Sequence, residues 1–455
     1  MNGAASPGVF YRQTVDYEEG NNSCFLLQSP IYSQQYSQIY FCRLAALRKE
    51  VESSARSKWT GNVLFVDRLL HLQQGVDCVI FGVLYKEMDL KPSILKEYSK
   101  NPAEPVPVLP VRPSFTSDTD TVILEDETGR IRLNFENCSF GADTFLTGTV
   151  IAIKGQETPS GDFSVDDICF PGIPSLTIPY SLENDVFVMF VSGIGLGATW
   201  NIPMREAMFL DFISGKLGNE EDYRFCSQIA HLFVLGNLLC DVGQETLMKK
   251  LQEQQTVNAG QQFFNAEHLI SADRFLTTLL STIPVTLLPG EMDPTNFLLP
   301  QQPLHPCLLP SSSKYISLRR VTNPYQCQVN GRNILACSGQ NVDDACRYSK
   351  FDWNSVEDRL LIMENFLNYR HLCPTAPDTL PCYPYYEEDP FVLKECPHIF
   401  VAGNQPAYGT RLIESAGTKV CLLCVPDFST TGQVVLLNLR TLTSQVMEFM
   451  IDLSS

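Results

Sequence analysis

The spacing of hydrophobic positions changes twice along this chain. After about thirty mixed residues, which are predicted to form an arm or loops, apolar side chains recur every three or four residues. This spacing predicts an amphipathic helix that begins at Ser33, with the Ser33 hydroxyl as its N-cap. The apolar stripe consists of Tyr36, Ile39, Tyr40, Leu44, Leu47 and Val51. The polar side, which is expected to face water, carries Arg43, Arg48, Lys49 and Glu50.

From residue 61 to about residue 170 the period falls to two, as in strands with one buried face. The strand-like segments are 77–88, 120–135, 146–157 and 161–170. Residues 126–129 and 160–162 have the composition of tight turns, whereas a strand could not continue through the Pro-rich stretch 102–113. Short antiparallel strands with one long internal loop predict a small β-barrel of the oligonucleotide-binding type.

Beyond a linker marked by Pro171, Pro174 and Pro179, continuous apolar strands alternate with helices. The strand-like segments are 186–193, 231–237, 284–290, 333–339, 398–404, 419–428 and 433–442, and the helical ones are 264–281 and 356–369. This pattern predicts a layered α/β domain with helices on both faces, whose ligand edge lies at the carboxyl ends of the strands. The chain is therefore divided into an arm and helix (1–60), a barrel (61–180) and an α/β domain (181–455).

The composition narrows the function classes. A hydrophobic fraction of 44% excludes a wholly disordered chain. With 33 Lys and Arg against 51 Asp and Glu, the net charge of −18 argues against gripping duplex DNA by neutralising its phosphates. The sixteen cysteines lie mostly in apolar runs without framework spacing, which predicts a reducing compartment, and Cys421-x-x-Cys424 is interpreted as core packing. No signal peptide or membrane-spanning stretch is recognisable, so the chain is predicted to be soluble and intracellular.

Five glycine-containing loops follow the predicted strands of the α/β domain in order: 192–197, 236–240, 289–293, 338–341 and 403–409. Their order resembles the loops D-x-H, G-D, G-N-H-D/E, H and G-H-x-H of the calcineurin-like binuclear metallophosphoesterases. Two glycines then replace the first Asp and His, Asn replaces the bridging Asp, Met replaces the third-loop His, Asn and Pro replace the last His pair, and Glu stands where that family has Asn. Only the final Asp of the third loop keeps its type. The degenerate positions are Gly193, Gly195, Asn237, Glu291, Met292, Asp293, Asn404 and Pro406.

These replacements predict that the loops hold no metal, catalytic group or cofactor. Glycine supplies no ligand, a neutral amide does not offset two dications, and all six histidines lie elsewhere in the sequence. Two hypotheses remain for the acids of the third loop. In the first, Glu291 and Asp293 support a residual phosphoesterase activity, whereas in the second Asp293, which precedes Pro294, is a helix N-cap. The run 193–198 also approaches a dinucleotide fingerprint, but the next strand ends in Asn237 rather than in an acid, which favours a tight strand exit.

The predicted barrel leaves two hypotheses open, a single-strand binder and a docking platform for proteins. Stacking side chains and cations are available at Phe81, Tyr85, Phe135, Lys86, Arg130 and Arg132. The same region carries the acids Asp118, Asp120, Glu125, Asp126 and Glu127. These acids favour the docking platform.

Several long runs make a family resemblance specific, among them PTNFLLPQQPLHP and TAPDTLPCYP. The matching segments are 33–44, 91–95, 289–307, 321–326, 338–344, 374–391 and 396–409. From about Tyr32 to Leu442 the chain resembles the B-subunit family, and within it the second, non-catalytic subunits of eukaryotic DNA polymerase delta, more than those of polymerases alpha and epsilon. The resemblance implies an oligonucleotide-binding-type barrel joined to an inactivated calcineurin-like domain.

By the same resemblance the chain is expected to act in DNA replication and repair in the nucleus, as a scaffold without catalytic activity. The implied partners are the cysteine-rich C-terminal module of the polymerase delta catalytic subunit and a third subunit, with the sliding clamp reached indirectly. A role in polymerase zeta is implied as well. DNA is expected to be bound at most weakly, and no membrane is involved.

Overall fold

The computed structural model describes residues 10–92, 112–136, 138, 141–175, 182–198, 202–240, 266–415 and 418–450. Most of the predicted Pro-rich loop and Pro179 lie outside these residues. The helices are α1 (Ser37–Lys58), α2 (Pro203–Ile213), α3 (Glu220–Gln228), α4 (Ala266–Leu280), α5 (Gln340–Arg347), α6 (Val356–Tyr369) and α7 (Phe428–Thr431). Within the described residues, every helix is too short or too polar to cross a membrane.

The strands form three six-stranded sheets. In chain order they are β1 (Tyr17–Glu19), β2 (Leu64–Phe65), β3 (Cys78–Glu87), β4 (Thr121–Glu125), β5 (Arg130–Asn134), β6 (Val150–Glu157), β7 (Phe163–Cys169), β8 (Phe187–Val191), β9 (Ile229–Leu235), β10 (Val285–Leu288), β11 (Leu318–Arg320), β12 (Tyr325–Val329), β13 (Arg332–Cys337), β14 (Ile399–Gln405), β15 (Gly409–Ser415), β16 (Thr418–Pro426), β17 (Gln433–Asn438) and β18 (Ser444–Glu448).

The contacts between residues divide the chain into two units. The first unit comprises Met1–Pro30, Leu176–Gln340 and Pro397–Ser455, and the second comprises Ile31–Ser175 and Asn341–Cys396. Helix α1 and residues 341–396 thus belong with the barrel strands, whereas the sequence suggested three consecutive domains (1–60, 61–180 and 181–455). The linear boundaries stay a prediction.

In the second unit, strands β3, β4, β5, β7 and β6 pair in that order, and β6 pairs back to β3, which closes the barrel. The predicted turn at residues 126–129 joins β4 to β5, because the Asp126 carboxylate accepts the backbone N–H groups of Thr128 and Gly129 at 2.6 and 2.9 Å. Aliphatic side chains of alternate strand positions fill the barrel interior. The barrel expected from the sequence is therefore present.

Helix α1 packs its apolar stripe on the outer face of β3 and β6. Ile39, Leu44, Leu47 and Val51 are buried as expected. The predicted N-cap is wrong, because the helix begins at Ser37 and its N-cap, Tyr36, makes no side-chain hydrogen bond.

Arg43 corrects a second expectation, because it lies on the predicted polar side of α1 and yet is 0% exposed. Its Nε donates to Asp389 Oδ2 at 2.7 Å, and its terminal nitrogens donate to the carbonyl oxygens of Gly148, Pro374 and Ala376 at 2.8 to 3.0 Å. The guanidinium thus joins α1 to the barrel and to residues 374–389. Burial of Arg43 is tolerated because the opposite charge and the carbonyl oxygens replace its water.

The first unit contains the other two sheets, with strand orders β1-β12-β13-β14-β16-β15 and β11-β10-β9-β8-β17-β18. Apolar side chains of both sheets form one core between them, and helices α2, α3 and α4 pack on the other face of the second sheet. The sequence suggested helices on both faces of one sheet. Continuous apolar strands show burial on both faces, but they do not show whether the covering layer is a helix or another sheet.

The N-terminal residues correct a further expectation. They were predicted to be an arm or loops, but Tyr17–Glu19 form β1, which pairs antiparallel with β12. The Tyr17 hydroxyl also bonds the hydroxyls of Thr286 and Tyr325, each at 3.0 Å. A three-residue strand is too short for periodicity to reveal it.

Candidate functional site

The five strand-end loops meet at one edge of the first unit. Gly193 N–H donates to the Gly236 carbonyl at 3.0 Å, and Gly195 N–H donates to the Asn237 carbonyl at the same distance. These bonds join the first loop to the second. The parallel arrangement of β8, β9 and β10 explains the meeting, since their carboxyl ends lie at the same sheet edge.

Asn237 joins the second loop to the third. It adopts a left-handed backbone conformation with φ of 53°, and its side-chain Oδ1 accepts the Met292 N–H at 3.0 Å. Asn is among the residues that enter this conformation at low cost. The amide therefore joins the second loop to the third.

Asp293 is buried and also joins these two loops. Its Oδ1 accepts the Leu239 N–H at 3.0 Å, and its Oδ2 accepts the Gly290 N–H at 2.8 Å. Burial raises the pKa of Asp293 to about 6, although these backbone donors favour its charged form. The predicted N-cap role is wrong, since the chain forms turns rather than a helix after Asp293. Glu291, the other acid of the residual-phosphoesterase alternative, is exposed.

Asn404 joins the fifth loop to its neighbours. Its Nδ2 donates to the carbonyls of Ser338 and Leu235 at 2.8 and 3.1 Å, and its backbone N–H donates to Ser192 Oγ at 2.9 Å. Pro406, which follows in the same loop, is exposed. The side chain of Asn404 is thus neutral, and its amide hydrogens are directed at backbone carbonyls of the neighbouring segments.

Gly193 lies against a carboxylate that the sequence pattern did not reveal. Its φ is +61°, and a Cβ on it would lie 2.3 Å from Asp427 Oδ2 and 3.0 Å from Asn404 Oδ1. Asp427 caps α7 by accepting the Thr430 N–H at 3.0 Å, and burial raises its pKa. The space that a ligand side chain at position 193 would need is therefore filled. An Asp before the short run FSTT is an N-cap signal, but the segment 419–428 was interpreted as a strand.

Gly195 lies in the same loop, with φ of +65°. A Cβ at this position would lie 3.1 Å from Ser429 Cβ. Neither glycine position thus offers room for an Asp or His side chain without a rearrangement.

An uncharged network of side chains fills the region between the third and fourth loops. Asn323 Nδ2, which has two hydrogens to donate, lies 2.7 to 2.9 Å from the side-chain oxygens of Gln301, Ser338 and Gln340. Gln301 Nε2 in turn donates to the Gly290 carbonyl at 2.9 Å. Amides and a hydroxyl supply both donors and acceptors, so the network needs no ion to balance it. Sequence reasoning missed this network, because its members come from separate segments.

Histidines do not complete a metal site at this edge. His231 is buried in the sheet with Nε2 2.8 Å from Thr286 Oγ1, and burial lowers its pKa to about 3. Across the described residues, no cluster of three or more His, Cys, Asp or Glu side chains could hold a metal ion. The side chains present are suited to holding five loops together.

The Asp293 tie leads to a prediction about Asp293→Asn. One amide oxygen cannot accept both N–H groups, so we expect a loss of about 1–3 kcal/mol in unfolding free energy at pH 7.5. The wild-type carboxyl has a folded pKa of about 6 against about 3.9 in the unfolded chain, so the folded state binds more protons between these values. Wild type therefore gains stability relative to the variant as pH falls from 7 to 4.5. Urea denaturation at several pH values checks this, and a gap that narrows on acidification contradicts it.

Two of the side chains named for a single-strand binder are buried in the barrel unit. Phe81 is 4% exposed beneath α1 and Lys86 is 1% exposed, with Nζ 3.3 Å from Asp120 Oδ2. Burial lowers the pKa of Lys86, although Asp120 opposes this effect. The Phe135 ring packs on Phe145 with centroids 5.0 Å apart. Of the six groups named for stacking and charge, Arg130 and Arg132 are exposed, and Tyr85 and Phe135 are partly buried.

Comparison with models of known protein families shows the class of protein to which the chain belongs. Residues 35–168 match the model of the DNA polymerase delta subunit OB-fold domain, and residues 188–410 match the model of the B subunit of DNA polymerases alpha and epsilon. These two matches place the chain in the class of DNA polymerase B subunits.

Full-length relatives narrow this class. The DNA polymerase delta small subunit of Oryza sativa subsp. japonica is 38% identical over 441 residues, which are 96% of this chain and 98% of the relative. DNA polymerase delta subunit 2 of Drosophila melanogaster is 32% identical over 442 residues, 95% of this chain and 97% of the relative. The small subunit of Saccharomyces cerevisiae is 31% identical over 473 residues, 95% and 93% of the two chains. The chain belongs to the family of DNA polymerase delta small subunits.

Proposed function

We propose that this chain is a non-catalytic scaffold subunit of DNA polymerase delta, acting in replication and repair in the nucleus. The observation that carries the proposal is the closed set of strand-end loops. The positions that the resemblance assigns to former ligands hold glycines, neutral side chains and the exposed Glu291, and the one acid that keeps its family type, Asp293, is bound by backbone N–H groups. A domain of the calcineurin-like type that has lost its metal ligands would keep its fold and serve as a platform.

The proposed partners are the cysteine-rich C-terminal module of the catalytic subunit and a third subunit, through which the sliding clamp is reached. The net charge of −18 supports contacts with proteins rather than with duplex DNA. The buried positions of Phe81 and Lys86 support the docking role of the barrel over single-strand binding.

Co-expression tests the scaffold role. We expect the full chain to co-purify in stoichiometric amounts with the catalytic subunit of polymerase delta, and to do so less with those of polymerases alpha and epsilon. Deletion of the cysteine-rich module should abolish the co-purification. A complex that forms equally well without that module, or with the other polymerases, contradicts the proposal.

A phosphodiesterase assay tests the absence of activity. We expect the assembled complex to hydrolyse a generic phosphodiester with Mn²⁺ no faster than the same complex carrying Glu291→Ala and Asp293→Ala. Any hydrolysis by the other subunits is then common to both samples and cancels. Hydrolysis that disappears in the double variant would revive the residual enzyme.

A further inference from the structure

A groove of about 430 Å³ lies in the second unit, between α1 and the barrel. Four aromatic side chains line it, Tyr36, Tyr40 and Phe41 of the α1 region and Tyr85 of β3. The lining also includes the buried apolar side chains Leu44, Val83 and Leu84, which we call the apolar floor, together with Pro377 and Asp378.

Exposed aromatic side chains lie in the groove lining and beside it. Phe41 and Tyr36 are 42% and 43% exposed, and Tyr386 and Tyr32 nearby are 43% and 60% exposed. Cys42 Sγ donates to the Tyr386 carbonyl at 3.5 Å, so the two aromatic segments are neighbours. Large apolar side chains gathered on a surface, rather than scattered singly, mark an interaction site.

The charge around the groove is acidic. Five carboxylates lie in its lining or beside its exposed aromatics, and they are Glu125, Asp126, Asp378, Glu387 and Glu388. The cations near them are Arg130, 3.2 Å from Glu125, and Lys91, paired with Asp378. The surplus of negative charge repels a phosphate backbone, and it would also repel a second copy of a chain whose net charge is −18.

We infer that this groove seats a cationic segment of another subunit of the same polymerase, with a bulky apolar anchor flanked by Lys or Arg. The anchor fills the apolar floor, and the flanking cations meet the carboxylates and the faces of the tyrosine rings. Two rings of the groove already have an arginine over one face, since Arg130 lies 5.9 Å from the Tyr85 centroid and Arg43 lies 5.2 Å from that of Tyr40. The inference rests on the proposed function, because it takes its occupant from the polymerase complex.

Site-specific photocrosslinking in the assembled, co-expressed complex tests this inference. Benzoylphenylalanine replaces Phe41, and as a matched control it replaces Leu64, which is 50% exposed in the same unit but outside the groove lining. We expect position 41 to crosslink to a basic, apolar-anchored segment of another subunit at least several-fold more efficiently than position 64. The charge-reversal pair Glu387→Lys and Glu388→Lys should lower that yield several-fold, whereas Asp118→Lys with Glu136→Lys should leave it unchanged.

The identity of the crosslinked molecule shows which occupant the groove binds. A crosslink to a second copy, to DNA or to a segment without Lys or Arg overturns the inference, as does an assembled complex without a crosslink from position 41. Failure of the chain to co-purify with the polymerase subunits overturns the proposed function, and with it the inference. Co-purification and crosslinking are measured separately, so a failure of the proposed function can be distinguished from a failure of the inference about the groove.

Discussion

Replacing Arg43 with methionine should lower the unfolding free energy of the second unit by about 3–5 kcal/mol. Methionine matches much of the arginine stem in volume, but it leaves Asp389 buried without its guanidinium partner. Although burial alone would raise the pKa of Asp389, the neighbouring His371 and Arg43 hold it well below its usual range, so the carboxyl is ionised at neutral pH. In the variant the buried carboxylate loses its permanently charged partner and keeps His371 Nε2 at 2.8 Å, and three carbonyl oxygens lose a donor.

The matched control is Arg56→Met on the same helix. Arg56 pairs with Glu52 at 2.6 Å, but its side chain is 55% exposed, so we expect a loss of less than about 1 kcal/mol. Hydrogen exchange during denaturant titration measures the unfolding free energy of each unit separately. Peptides covering 37–58 report on the second unit, and peptides covering 229–235 report on the first. Equal small effects of the two substitutions would show that the buried pair contributes little.

The sequence predicted elements well where the signal is local. Helix α6 begins at Val356 and ends at Tyr369, as its spacing of apolar residues predicted, and the β4–β5 turn lies at residues 126–129. Arg43 shows the limit of this reasoning. Periodicity treats every arginine as a surface residue, whereas the carboxylate that allows its burial lies 346 positions later in the chain.

In the candidate site, too, the sequence reveals the local features but not the contacts between distant segments. The order and composition of the strand-end loops could be read from the sequence, because each glycine follows an apolar strand. The closing groups Asp427 and Asn323 could not, since their role depends on which distant loops meet them. Asp293 was misassigned for a related reason. An Asp–Pro pair looks the same at a helix start and in a turn, and only the N–H groups of Leu239 and Gly290 distinguish the two.

The closure of the loops also predicts a clash at Gly193. Its φ of +61° alone makes an L-residue unfavourable, and a Cβ there would lie 2.3 Å from Asp427 Oδ2, well inside contact distance. Gly215 has a similar φ of +67° but has no atom within 4 Å of the position a Cβ would take. The two glycines therefore separate backbone strain from loss of space.

We expect Gly193→Ala to lower the unfolding free energy of the first unit by about 2–4 kcal/mol, and Gly215→Ala by about 1 kcal/mol. The first substitution combines strain with overlap, whereas the second introduces strain alone. Adding Asp427→Ala should recover at least about 1 kcal/mol in the Gly193→Ala background, although by itself it removes an N-cap and costs about 1 kcal/mol. Denaturant midpoints of the four variants and wild type measure this coupling. Equal losses at the two glycines, with no recovery in the double variant, would mean that the loops have room for a side chain at position 193.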